Sequence, residues 1–125
     1  MKRPAIQPIT PPTIPHYTWR RTASGVPIYL LHNSTQGVVR VSFVFRAGTS
    51  YQSAPFSAST VVNTLTEGTA NMSGKQVAEG LDFLGSYYDA NIDRDWAVVT
   101  FCSLSKFVHP TLDIAEEVVA RPTFP

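Results

Sequence analysis

Three histidines are the side chains in this sequence best suited to binding a metal or to moving protons near neutral pH. His16 lies in a proline-rich start, His32 at the end of a predicted strand, and His109 at the start of a predicted helix. A zinc site needs several imidazole, thiolate or carboxylate ligands brought to one point. No spacing here places two of the histidines on one face of an element. We therefore expect ordinary surface or half-buried histidines rather than metal ligands.

Clustered carboxylates are the next candidates, because they can share acid–base work or bind a hard metal ion. Asp89, Asp93 and Asp95 flank a predicted hairpin turn, but their spacing lacks the ligand density of a calcium loop. Glu116 and Glu117 are adjacent on a predicted helix and so point in different directions. Both groups are predicted to be solvated, with no shared chemical task.

Residues 68–75, Gly-Thr-Ala-Asn-Met-Ser-Gly-Lys, look at first sight like a phosphate-binding loop. However, five residues rather than four separate the glycines, and Gln76 stands where a Ser or Thr would meet magnesium. A predicted helix rather than a strand also precedes the loop. We therefore expect no nucleotide and no other cofactor in this chain.

The composition limits the fold and the partners. The 125 residues are 43% hydrophobic and 15% charged, which suits one domain with a sizeable core. A net charge of +1 gives no electrostatic argument for nucleic acid or an anionic membrane, so neither partner is expected. The single cysteine, Cys102, lies in an apolar strand pattern and is predicted to be a buried structural thiol. No membrane span or signal peptide is evident, so we expect a cytoplasmic protein, or a periplasmic one if a leader has been removed.

The element that would position any chemistry is a helix predicted over residues 54–69. Ser53 is placed to cap its first turn, Pro55 is tolerated there because its missing N–H has no helical partner, and Gly68 suits the exit. Apolar residues at helical spacing predict one buried face, formed by Ala54, Ala58, Val61, Val62 and Leu65.

Before this helix, the sequence predicts three strands. Residues 1–18 contain five prolines and are expected to form an extended arm. Residues 19–22 and 26–32 are predicted to be strands around a turn, and residues 38–49 alternate in polarity as a half-buried strand does.

After the central helix, Ser73 and Gln76 form a capping box that predicts a second helix ending at Gly85. Residues 86–93 and 96–104 are predicted to form an antiparallel hairpin. A third helix is predicted to end at Arg121, with a buried face formed by Val108, Leu112, Ala115 and Val119. This order of elements indicates an α+β fold, an antiparallel β-sheet with helices packed on one face.

The central helix and its flanks also carry a family resemblance. The strand ending Phe-Arg-Ala-Gly-Thr, the helix, and the following Glu-Gly-Thr-Ala-Asn-Met-Ser-Gly-Lys-Gln-Val-Ala-Glu-Gly-Leu-Asp-Phe-Leu-Gly resemble the opening of an M16 peptidase domain, of the insulinase, pitrilysin and mitochondrial-processing-peptidase type. The resemblance covers residues 19–125 and implies the N-terminal part of one half-domain. In catalytic members the helix holds the inverted zinc motif His-x-x-Glu-His, whose last His lies five residues ahead of a Gly-Thr pair. Counted back from Gly-Thr at residues 68–69, the motif positions here are Ser59, Val62 and Asn63.

These substitutions imply a degenerate zinc motif. Zinc binding by this helix would need two imidazoles one turn apart, with a carboxylate beside them to deprotonate water. Ser59 and Asn63 keep the spacing, but a hydroxyl and an amide are poor zinc ligands, and Val62 cannot accept a proton. Although active family members use zinc, we expect no catalytic or metal-binding residue in this chain.

Two functions remain open at this stage. In the first, the chain is a non-catalytic M16-like protein or subunit that helps an active M16 partner or half to form a peptide-holding chamber. Strand addition at a sheet edge would hold the peptide without any zinc ligand. In the second, the chain is a scaffold or interaction module that keeps the fold without a proteolytic role. The family's third zinc ligand, a Glu, would lie beyond Pro125, so we expect a fragment that pairs with itself or with another M16-like chain.

Overall fold

The computed structural model describes residues 11–32 and 36–125. The chain divides into two compact units, with the boundary in the sequence between residues 36 and 37. The first unit contains a β-hairpin, and the second has an α+β fold. Residues 1–10 of the predicted arm lie outside the described residues, and residues 11–17 have no regular secondary structure. Within the described ranges, no helix is both long enough and apolar enough to cross a bilayer.

The hairpin of the first unit consists of β1 (Thr18–Arg21) and β2 (Pro27–Leu30), paired antiparallel. Gly25 closes the turn at a φ of 88°, a backbone region that favours glycine. Its N–H donates to the carbonyl oxygen of Thr22 at 3.0 Å. The hairpin predicted around residues 23–25 is therefore confirmed.

The second unit is built on a three-stranded antiparallel sheet. Its strands are β3 (Val38–Phe45), β4 (Tyr87–Ile92) and β5 (Ala97–Leu104), in the spatial order β3-β5-β4. The central position of β5 agrees with its sequence, which is apolar on both faces and gives a strand that is almost entirely buried or half-buried. The predicted antiparallel hairpin of β4 and β5 is confirmed.

Three helices cover one face of this sheet. They are α1 (Ser57–Thr64), α2 (Gly74–Phe83) and α3 (Val108–Ala120), with short 3₁₀ turns at Thr49–Tyr51 and Ser105–Phe107. The core cluster consists of Leu65, Val77, Leu81, Val99, Phe101, Ile114, Ala115 and Val118. Val99 and Phe101 lie two residues apart on β5 and therefore on the same face, which is the face that the helices cover. The predicted α+β fold is confirmed.

The first helix is shorter than the one predicted over residues 54–69. Phe56, directly before it, has a φ of 66°, and this left-handed conformation prevents residues 54–56 from continuing the helix. The prediction that Ser53 caps the helix is therefore wrong, because no side chain caps its start. After Thr64 the chain leaves the helix and reaches Gly68, which forms an isolated β-bridge to Ser73.

The buried face of α1 also differs from the predicted stripe. Val61 is 45% exposed, so its predicted place in the core is wrong, whereas Val62 is 6% exposed and Leu65 is buried. Successive residues of a helix point about 100° apart, so only one of two adjacent valines can face the sheet. Ala54, the first residue of the predicted stripe, is exposed and lies outside the helix.

The second helix begins as the sequence predicts. Ser73 accepts a hydrogen bond from the Gln76 N–H, and the Gln76 side chain accepts one from the Ser73 N–H at 2.9 Å. This capping box is confirmed. Val77 and Leu81 face the core and fix the orientation of the helix on the sheet.

The third helix has the predicted end but a different buried face. Its fully buried residues are Thr111, Ile114, Ala115 and Val118. Of the predicted face, Val108, Leu112 and Val119 are only half-buried, and Ala115 alone is fully buried. The buried face of α3 is rotated relative to the predicted one and includes Thr111. This threonine can lie in the core because its hydroxyl forms hydrogen bonds with the hydroxyls of Ser86 at 2.7 Å and Ser103 at 3.0 Å.

Candidate functional site

The three positions singled out on the central helix are all on α1, but they face different surroundings. The Ser59 hydroxyl donates a hydrogen bond to the Phe56 carbonyl oxygen at 2.9 Å. Val62 is buried in the core, and Asn63 is exposed. A serine bonded to its own helix and an exposed amide, separated by a buried valine, do not form a set of ligands directed at one point.

These residues do not fit a zinc ion. The chemistry of the donor set is wrong, because the helix offers a hydroxyl and an amide where zinc requires imidazole, thiolate or carboxylate. Within residues 11–32 and 36–125, no three His, Cys, Asp or Glu side chains are grouped so that they could hold a metal. His16, His32 and His109 are all exposed, on three different parts of the chain.

The strand beside α1, β4, is the element of this region that offers groups for binding another strand. α1 packs against β4, and in the described sheet β4 pairs only with β5, so its other side is an edge. An edge strand presents backbone N–H and C=O groups that are not paired within the sheet. Along β4, exposed residues alternate with half-buried ones. The helix with the degenerate motif therefore lies next to a strand that can accept another strand.

Tyr88 occupies the helix-covered side of this edge strand, and the sequence patterns did not single it out. Its ring packs edge-on against Phe101, with ring centroids 5.4 Å apart. Its hydroxyl is buried and has no hydrogen-bond partner among the described residues. Burial, and secondarily the charge of Asp89, raises the pKa of the Tyr88 hydroxyl above its usual value of 10.0. A buried tyrosine oxygen without a partner is rare and marks this part of β4 as locally unsatisfied.

The open face of the sheet, opposite the helices, holds a shallow cavity of about 190 Å³. Its lining combines charged, amide and aromatic side chains with a floor from β5: Arg40, Asp89, Asn91, Asp93, Trp96, Val98 and Thr100. Cys102 lies on the same face and is only half-buried, which corrects the prediction of a buried thiol. None of the three helices in the described residues covers this face, which agrees with the prediction of helices packed on one face of the sheet.

The predicted acidic group at the β4–β5 turn is a structural feature of that turn. One carboxylate oxygen of Asp93 accepts hydrogen bonds from the N–H groups of Asp95 at 2.8 Å and Trp96 at 2.7 Å. Asp95 accepts a hydrogen bond from the Ser50 hydroxyl at 3.2 Å. Asp89, Asp93 and Asp95 are all exposed, as predicted, and the structure does not bring them together as ligands.

Glu117 is not the solvated residue that the sequence predicted. Its carboxylate accepts hydrogen bonds from the Asn71 amide nitrogen at 3.0 Å, from the Thr69 hydroxyl at 3.2 Å and from Arg121. The hydrogen bond from Asn71, supported by Arg121 and Thr69, holds the pKa of Glu117 below its usual value of 4.5. Glu116 is exposed but pairs with the same arginine, Arg121, at 2.8 Å, so the two glutamates predicted to have no shared task both contact one guanidinium group. Glu117 therefore ties the loop between α1 and α2 to the end of α3.

Comparison with solved structures shows that this architecture resembles that of an M16 peptidase domain. The chain is similar to a peptidase M16 inactive domain from Pseudomonas fluorescens, with a TM-score of 0.82 and 29% sequence identity over 88% of the chain. It has the same fold as a protease from Helicobacter pylori, with a TM-score of 0.78 at 14% identity over 88% of the chain. The chain spans 27% of the length of each of these structures. The resemblance to M16 peptidases predicted from the sequence is confirmed.

No protein-family model matches the chain, and a search of curated proteins also found no match. The resemblance therefore rests on the similarity of the structures, together with the motifs around α1.

Proposed function

We propose that this M16-like chain is a non-catalytic module that holds an extended peptide by strand addition at β4, in a chamber formed with an M16-like partner chain or half. The observation that carries the proposal is the position of α1. The helix that has Ser59, Val62 and Asn63 in place of zinc ligands packs against β4, whose outer edge pairs with no strand among residues 11–32 and 36–125. The chain thus combines a helix that lacks zinc ligands with a strand whose backbone groups can form hydrogen bonds to a peptide.

The backbone of β4 supplies what strand addition needs. Main-chain hydrogen bonds provide the affinity in this mode of binding, and side-chain contacts on alternate residues provide the specificity. A peptide aligned on β4 would have alternate side chains on the open face, beside Tyr87, Asp89 and Asn91. The other side chains would face the helix-covered side, beside Tyr88 and Ala90.

The similarity to an M16 inactive domain supports the absence of catalysis. Val62 occupies the position of the motif's general base, and a buried hydrocarbon side chain cannot take a proton from water. Peptide bonds should therefore survive prolonged incubation with this chain, with or without added zinc. Release of new peptide termini in proportion to chain concentration would contradict the proposal.

Backbone amide exchange measured by NMR tests the binding mode directly. On addition of a library of unstructured peptides, the β4 amides that point away from β5 should become protected from exchange. The matched internal control is β3, the other edge of the described sheet, whose outward amides should stay unprotected. Protection on β3 instead of β4, or on neither strand, would refute the proposed edge.

N-methylation of a bound peptide gives a second test. Only alternate residues of an added strand donate N–H groups to the edge, so methyl groups on one alternate set should abolish binding. Methyl groups on the other set should leave binding nearly unchanged. Equal effects from both sets would exclude strand addition. The alternative function, a scaffold module without a peptide role, predicts no binding of any of these peptides.

A further inference from the structure

The cavity on the open face of the sheet lies beside the edge strand β4. All of its lining residues belong to the second unit, and two of them, Asp89 and Asn91, are on β4 itself. These two side chains share a face of the sheet because they are two residues apart on one strand. A side chain that an added strand places on this face would therefore lie next to the cavity.

The charges of the cavity are arranged so that a side chain arriving from the β4 edge meets a carboxylate first. Directly opposite residues of neighbouring strands have Cβ atoms about 5 Å apart, so Asp89 would be the immediate neighbour of a peptide residue paired with it. Arg40 is on β3, on the far side of β5 and about two strand spacings, or about 10 Å, from the β4 row. Among residues 11–32 and 36–125, Arg40 forms no ion pair with Asp89 or Asp93. The charge of Asp89 is therefore not neutralised within the cavity.

An aromatic ring completes the lining. Trp96 is 45% exposed, and its backbone N–H is held by Asp93 at 2.7 Å. That hydrogen bond fixes the turn but leaves the indole ring in the cavity wall. A tryptophan ring attracts an ammonium or guanidinium group over its face, and it also provides apolar surface for the methylene stem of a long basic side chain. A carboxylate side chain would gain neither contact.

We propose that this cavity is the subsite for one basic side chain, lysine or arginine, of the extended peptide held at β4. Asp89 pairs with its charge across the strands, Asp93 adds a second negative charge, and Trp96 packs against its stem. The lining contains two carboxylates and one guanidinium group, which favours a cation over an anion. The inference rests on the proposed function and deepens it, because it names the class of peptide that β4 would select.

A set of three peptides tests the inference with the 125-residue chain. They share a short unstructured host sequence with blocked termini and differ at one central residue, which is lysine, norleucine or glutamate. Norleucine has the stem of lysine without its ammonium group. The lysine peptide should bind about fivefold to tenfold more tightly than the norleucine peptide, and the glutamate peptide most weakly. The advantage of lysine should shrink as added salt shortens the Debye length from about 10 Å at 0.1 M to about 3 Å at 1 M.

Tryptophan fluorescence gives the affinities and reports on the cavity itself. The chain has two tryptophans, so Trp19→Phe leaves Trp96 as the sole reporter. In this background Asp89→Asn should make the lysine and glutamate peptides bind almost equally, and Asp89→Lys should reverse their order. The matched control is Asp113→Lys, the same change of charge at an exposed position of α3, on the helix-covered side of the sheet. This control should keep the order of the unchanged chain.

Several results would overturn the inference. Equal binding of the three peptides would show that the cavity does not select, and preference for glutamate would assign it to Arg40. A lysine preference that survives Asp89→Lys, or that Asp113→Lys removes as well, would exclude Asp89 as its source. Exchange protection at β4 separates the two levels of the proposal. Protection by all three peptides with equal affinity overturns the basic subsite alone, whereas the absence of protection by any peptide overturns strand addition and the subsite together.

Discussion

Val62 and Val61 provide a sharp test of how α1 is oriented, because they are adjacent, identical in type and opposite in environment. Val62 is 6% exposed, and Val61 is 45% exposed. Val62→Glu restores the carboxylate of the family motif but places it in the core. The lost apolar burial costs about 1.5–3 kcal/mol. Keeping the carboxyl group neutral at pH 7 by raising its pKa about three units costs about 4 kcal/mol more. The total, about 6 kcal/mol, is comparable with the whole stability of a small domain.

Thermal unfolding followed by circular dichroism measures the difference between the two variants. Val62→Glu should be largely unfolded or should melt far below the wild type, whereas Val61→Glu should melt close to it. The pH dependence has a defined sign: the pKa of the new carboxyl group is raised by folding, so the electrostatic penalty is full above the folded pKa. The penalty shrinks as the pH falls towards the unfolded value of about 4.3. Equal melting of the two variants at neutral pH would refute the assigned orientation of α1.

Three further predictions concern the loops and caps that hold the second unit together. In a urea titration, Gly48→Ala should lower the unfolding free energy by about 2–4 kcal/mol, because the added Cβ would clash with the backbone of Arg94. The control variant Gly37→Ala should be nearly neutral in the same titration, because nothing lies within 4 Å of its added Cβ. Glu117→Gln should destabilise the chain at neutral pH. Because folding lowers the pKa of Glu117, the deficit of the variant against the wild type should begin to shrink as the pH falls below 4.5 and should be lost only once the pH has fallen through the lower folded pKa. A deficit that is constant with pH would contradict the assigned hydrogen bonds. Ser73→Ala should lower the unfolding free energy by about 1 kcal/mol, because it removes the capping box of α2. Ser73→Thr keeps a hydroxyl and should retain most of that stability. Equal losses of stability in the two variants would argue against the cap.

The strands and the second helix could be predicted from the sequence because their signals are local. Alternating polarity identified β3, the capping box identified the start of α2, and the two β-rich runs around a tight polar turn identified the hairpin of β4 and β5. Each signal depends on residues within one element, where backbone geometry determines which side chains share a face. The same local motif around residues 54–69 identified the M16 resemblance, which the structural comparison confirmed.

The helix faces could not be predicted as reliably, because which stripe is buried depends on distant residues. On α3, apolar periodicity favoured Val108 and Leu112, but the buried face includes Thr111. That threonine can be buried only because Ser86 and Ser103, from other parts of the chain, complete its hydrogen bonds. On α1, the left-handed Phe56 delayed the start of the helix, and Val62 rather than Val61 faces the core.

For function, the sequence by itself determined which chemical groups α1 lacks. Hydroxyl, hydrocarbon and amide side chains at Ser59, Val62 and Asn63 cannot supply the usual zinc ligands or a general base, whatever the fold around them. Only the tertiary structure decided what lies beside the helix. Three features depend on the packing of residues that are far apart in the chain. They are the edge position of β4, the burial of the Tyr88 hydroxyl and the hydrogen bonds of Glu117. Such contacts depend on how strands and helices pack, and no local pattern of residue types specifies them.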